Sequence, residues 1–137
     1  MADDTKKALE RMVENQAHAL EILVALATED HEGLSRKAIN TVLSDHGYDQ
    51  DDIKAVGLTD LAIEAIDDSI LDVTVHGKRN PHHSDWEITH VEVVFSTGGP
   101  HIELDTGKKA VMGYWGGDVA RASVDDYVID YFEDIWG

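Results

Sequence analysis

There is no cysteine in the 137 residues. That excludes disulfide staples, thiolate metal sites and a cysteine nucleophile, and it suits a reducing cytoplasm, the expected location. No apolar run approaches the roughly 20 residues of a membrane-spanning helix. Met1-Ala2-Asp3-Asp4 does not open a signal peptide. Basic residues are scarce, 11 Lys and Arg against 28 Asp and Glu, for a net charge of −17. Such a chain repels nucleic acid and anionic membranes and attracts basic protein surfaces. The acidic excess is spread over both halves, and no Lys or Arg follows Ser123.

Recognised chemistry is missing too. Gly98-Gly99-Pro100 is followed by neither Gly-Lys-Ser/Thr nor a helix, so it reads as a turn and not a phosphate loop. There is no nucleophile-elbow sequence, and nothing marks a pair of the many carboxylates as buried or close. Internal repeats and low-complexity tracts are absent. The expectation is a non-enzymatic chain with no cofactor.

What is there is a hydrophobic fraction of 42%, enough for a core, and a change of period near residue 71. Residues 1–70 carry helical spacing. A long first helix runs to Ala27 or Thr28, with Asp3, Asp4 and Thr5 as candidate caps and an apolar stripe through Leu9, Met12, Val13, Gln16, Leu20, Leu23 and Ala27. A second helix spans Ser35 to His46 and stops at Gly47. A short turn carries Ile53 and Val56, and Thr59 caps a third helix to Ser69. From Leu71 the period falls to two: Leu71, Val73 and Val75 alternate with polar residues. Trp86–Phe95, with Val91, Val93 and Phe95 on one face and Trp86, Ile88 and Val94 on the other, His101–Asp105 and Ala110–Trp115 follow as further strands, separated by polar turns. The expected fold is α+β: a helical lobe (1–70), an antiparallel sheet of about four strands, and a C-terminal helix laid on it (71–137), the two parts forming either separate lobes or one domain.

The last helix is the clearest element. Ser123 stands as N-cap with Asp126 three residues on. Val124, Tyr127, Val128, Tyr131, Phe132, Ile135 and Trp136 then make a continuous helical stripe. Its other face carries Asp125, Asp126, Asp130, Glu133 and Asp134. Like charges at i,i+4 cost about 0.2–0.5 kcal/mol each, and anions at a helix C-terminus about 0.3–1 kcal/mol. Stability alone does not account for Asp130, Glu133 and Asp134. Trp115 and Trp136 read as core residues, or as interface anchors if they lie at the rim of that helix. Helical carboxylates at a rise of about 1.5 Å per residue form an anionic line of the same order as the one charge per about 1.7 Å of duplex DNA.

Five histidines, His76, His82, His83, His90 and His101, fall in one short region, with Asp85 and Glu92 nearby. Two or three meeting on a sheet face would suit Zn²⁺ or Ni²⁺, although no spacing matches a standard metal motif and no metal ligand is assigned. Solvated strand histidines are the plainer reading.

Ser96-Thr97-Gly98-Gly99-Pro100-His101-Ile102-Glu103-Leu104, then Gly113-Tyr114-Trp115-Gly116, then an acidic helix ending Tyr131-Phe132, resembles small acidic proteins of phages and other mobile elements. The resemblance covers about 40 residues of the last third, and residues 1–70 take no part in it. It implies an inhibitor of host defence of the anti-CRISPR or anti-restriction type, acting in the host cytoplasm as a partial DNA mimic. Its partner would be a basic host protein, a CRISPR effector or another nuclease, with no direct contact to nucleic acid or membrane. The expected contact residues are Asp125, Asp126, Asp130, Glu133 and Asp134, with Glu103 and Asp105 as second contributors. Two alternatives stand beside this: a metal-binding domain or metal-dependent enzyme built on the His76–His101 cluster, and an oligomeric accessory protein dimerising through helix 1.

Overall fold

The structure, a computed structural model, describes residues 2–30, 32–79, 81, 82 and 85–136, without the side chains of Ala2 and Asp3. Four helices come first: α1 (Ala2–Ala27), α2 (Arg36–Asp45), α3 (Gln50–Val56) and α4 (Leu58–Ser69). Five strands follow: β1 (Asp72–Arg79), β2 (Trp86–Ser96), β3 (His101–Asp105), β4 (Ala110–Trp115) and β5 (Asp118–Ser123). Helix α5 (Asp126–Trp136) closes the chain. The strands form one antiparallel meander in the order β1-β2-β3-β4-β5. The expected α+β class is found, with five strands in place of about four.

The fifth strand lies between Trp115 and the last helix, where no strand was expected. Gly116-Gly117 is a two-residue hairpin loop between the paired Trp115 and Asp118, with Gly116 at φ +61°. Strand β5 turns Ala120 and Ala122 toward the core, and alanine gives a weak signal of alternating hydrophobicity. The small side chains suit the close packing of α1 across β4 and β5. Gly113 on β4 shows how close that is: a Cβ there would lie 2.8 Å from Leu9 Cδ1 and 3.1 Å from Val13 Cγ2.

Helix α1 is the centre of the molecule. Leu9, Val13, Leu20, Ile22, Leu23, Val24 and Leu26 are buried, because α1 packs on β4 and β5 with one side and on α4, α2 and α5 with others. Most of the helix 1 stripe is buried within the chain, whereas Met12 is exposed and Gln16 half-buried. One buried apolar cluster joins these residues to Leu61 and Ile66 of α4, Val91 and Val93 of β2, and Val128, Ile129 and Phe132 of α5. The helices of residues 1–70 and the sheet therefore share a core.

Several caps differ from expectation. Asp3, Asp4 and Thr5 lie within α1. Ser35 caps α2 as expected, accepting from the Ala38 N–H at 3.1 Å, and α3 has a capping box between Asp49 and Asp52. Thr59 does not cap α4, which starts from Gly57. Its hydroxyl instead donates to the Leu26 carbonyl at 3.0 Å, which also accepts from the Glu29 N–H, and so ties α4 to the end of α1. Ser123 is the last residue of β5 and pairs with Ala110, so it is not the N-cap of α5.

Candidate functional site

Helix α5 packs its Val128, Ile129 and Phe132 into the core, with Phe132 edge-on to Phe95 of β2 at 6.4 Å between centroids. The apolar stripe is not buried to its end. Ile135 is 52% and Trp136 41% exposed, and Trp115 also reaches the surface. Both tryptophans expected in the core stand at the end of an element, Trp115 at the β4–β5 hairpin and Trp136 in the last turn of α5, and both reach the surface. Asp125, Asp126, Asp130 and Asp134 are exposed and Glu133 is half-buried. Lys109 Nζ lies 3.2 Å from Asp126 Oδ1. Among the described residues, no Lys or Arg pairs with Asp130, Glu133 or Asp134.

Other elements add carboxylates beside α5. The Tyr127 hydroxyl donates to the Glu21 carbonyl at 2.8 Å, tying α5 to α1. Its pKa is pushed up to about 12 by burial and by the charges of Glu21, Asp125 and Asp30. Tyr131 is raised by burial and by Asp67 of α4. Glu21 is pushed up to about 7, first by burial, then by a hydrogen bond to the Asp125 side chain and by its charge. Two carboxyl groups that share a hydrogen bond share a proton. Sequence reasoning did not find Glu21, but the signal was present: it is the one acid in the apolar run Ala19–Ala27.

Glu103 and Asp105 do not join this surface. The helices cover one face of the sheet, and alternation along β3 sends Leu104 to that face and its neighbours to the other. Asp105 is buried. Its Oδ1 accepts from the Gly107 and Lys108 N–H groups at 2.9 and 3.1 Å, so the carboxylate shapes the β3–β4 turn. Glu103 lies 3.2 Å from His101 Nε2. Burial and the nearby charge of Glu92 raise its pKa, against the opposing effect of His101.

On the same open face, His76 of β1 and His90 of β2 are direct cross-strand partners. Glu92, two residues beyond His90, lies beside them. Donor atoms of the three all fall within 4.8 Å of one another. The imidazoles stack at 4.2 Å with a 5° interplanar angle. Of the other histidines in the region, His101 belongs to the Glu103 pair, His82 lies in the β1–β2 loop, and His83 lies outside the described residues. The register shift between His76 and Gly77 leaves Thr89 without a partner on β1 and brings Ile88 onto the core, where Val94's face was expected. Trp86 lies over Gly77, filling the space a side chain there would take.

Comparison with protein-family models, curated proteins and solved structures finds no match. The geometry of this chain is thus the basis for its functional reading.

Proposed function

We propose that this chain is a non-enzymatic acidic protein that docks its α5 face onto a basic, nucleic-acid-binding surface of another protein and excludes the nucleic acid. The mobile-element resemblance makes that partner a host defence nuclease, of the CRISPR or restriction type, in the host cytoplasm. The reading is carried by one observation: α5 presents unneutralised Asp130 and Asp134 next to exposed Ile135 and Trp136. An aromatic anchor flanked by charge is how interfaces combine affinity with steering. The carboxylates of Asp30 and Asp67, with the charge left on the proton-sharing Glu21–Asp125 pair, extend the negative field beyond α5. Among the described residues no helix is long and apolar enough to cross a membrane.

The test is capture from host lysate at about 0.1 M salt and again at about 0.5 M, over which the screening length falls well below 10 Å. The expected partner is a nucleic-acid-binding protein, released by the higher salt and by its own nucleic acid. The D130K/E133K/D134K variant should lose it. Retention by the variant, or binding indifferent to both salt and nucleic acid, would overturn the proposal. The variant also separates binding from folding: lysines at the C-terminus of α5 complement the helix dipole, so stability should hold or rise by up to about 1 kcal/mol, read from a urea midpoint.

A further inference from the structure

We propose that His76, His90 and Glu92 form a binding site for one first-row divalent transition-metal ion on the open face of the sheet, with Zn²⁺ as the representative occupant. Antiparallel pairing builds the site. His76 and His90 stand directly opposite each other, and Glu92, two residues along β2, projects from the same face. Three ligands thus come from two adjacent strands without any loop having to close over them.

The distances fit. Zinc takes nitrogen at about 2.0–2.1 Å and carboxylate oxygen at about 2.0–2.2 Å, so neighbouring donors of a tetrahedral site stand about 3.4 Å apart. Glu92 Oε1 is 3.0 Å from His76 Nε2 and 3.6 Å from His90 Nε2. The same oxygen faces both rings, each through Nε2. His76 Nε2 is closed off from solvent and, despite the short approach of Glu92, is not aligned in a hydrogen bond. A closed-off nitrogen without an aligned partner is costly, and a metal ion supplies what it lacks.

Neighbouring groups hold the ligands in place. His90 Nδ1 lies 3.2 Å from Thr89 Oγ1. If Nδ1–H donates there, Nε2 carries the free lone pair, the usual way in which an outer partner sets the ligating nitrogen. Gly107 lets the β3–β4 turn pack against His90: a Cβ at that position would lie 3.1 Å from His90 Cβ. The nearby carboxylates are engaged elsewhere, Asp105 with the turn and Glu103 with His101. The protein therefore supplies three ligands and leaves solvent the remaining position. Two imidazoles and one carboxylate favour the nitrogen-seeking ions of the first row over Mg²⁺ or Ca²⁺, which prefer all-oxygen sites.

The experiment is calorimetric titration of tag-free full-length protein with Zn²⁺ alone, with Mg²⁺ as the comparison ion. Circular dichroism checks the fold of each variant, and histidine ring resonances are followed in parallel. The wild type should bind one Zn²⁺ per chain and no Mg²⁺, with shifts confined to the rings of His76 and His90. H90A and E92Q should each weaken binding by about tenfold or more, whereas H101A, on the same face but outside the triad, should leave it unchanged. Stoichiometry other than one, equal loss in H101A and H90A, or ring shifts spread over all histidines would overturn the site. If H90A fails to fold, E92Q and the ring shifts of the wild type decide. No protein partner is involved, so the outcome is independent of the docking surface on α5.

Discussion

Gly113 and Asp105 show how much a single position carries in this molecule. A methyl group at Gly113 would drive into Leu9 and Val13, which are fully buried and cannot move aside. Overpacking of this kind costs about 1–3 kcal/mol. We expect Gly113→Ala to lower the unfolding free energy by that amount, read as a lower urea midpoint with an unchanged slope, since the surface exposed on unfolding stays the same. A normal midpoint would mean that α1 does not lie so close to β4. Neither role was legible in the sequence. Gly113 sits in a run that reads as an ordinary strand, and its purpose depends on a helix about 100 residues away along the chain. Asp105 reads as one more surface acid, and only the turn after it reveals a carboxylate bound to backbone.

At the scale of the element, α5 divides into a core-facing half and an acidic, partly apolar end, and its link to α1 responds to pH. The Glu21 carboxyl, pushed up to about 7 from 4.5 in the fold, binds its proton more tightly folded than unfolded. Its contribution to stability is then full below about pH 4.5 and lost as the pH rises through 7. We expect wild-type melting temperature to fall over that window. Glu21→Gln, which keeps a hydrogen bond to Asp125 without the charge, should flatten the trend; an equal fall in the variant would assign it to other groups. Most elements could be read beforehand because helical and strand periods are local. The exceptions were set by tertiary contact: β5 hides behind alanines that suit α1, Ser123 is taken by the sheet before it can cap a helix, and the Thr89 bulge shifts which face Ile88 takes. The metal ligands were half legible. A histidine-rich region was plain, but which of its members meet depends on strand register, which composition does not contain.

For the whole molecule, charge and packing pull in opposite directions. A net charge of −17 on a 15.1 kDa chain destabilises the compact state by self-repulsion, and the shared core opposes it. Added salt shortens the screening length from about 10 Å at 0.1 M to about 3 Å at 1 M. The melting temperature at pH 8 should therefore rise with sodium chloride over that range, while affinity for a basic partner falls. A melting temperature that drops with salt would mean that favourable ion pairs outweigh repulsion. The few pairs seen, such as Lys78–Glu87 and Lys109–Asp126, are exposed and of the kind worth little.

The central place of α1 also sets an order of events during synthesis. The sheet pairs neighbour with neighbour, so each hairpin can close as soon as it is made. Helix α1 is made before all of them, yet it rests mainly on β4 and β5, which are made long after it, from Ala110 onward. At about 5–20 residues per second, the interval is roughly 4–20 s. Until then α1 can cover its apolar side only against α2 and α4, leaving the side that carries Leu9 and Val13 bare. A ribosome paused before β4 would therefore hold a nascent chain with a sticky helix, a natural substrate for a chaperone that waits at the exit tunnel.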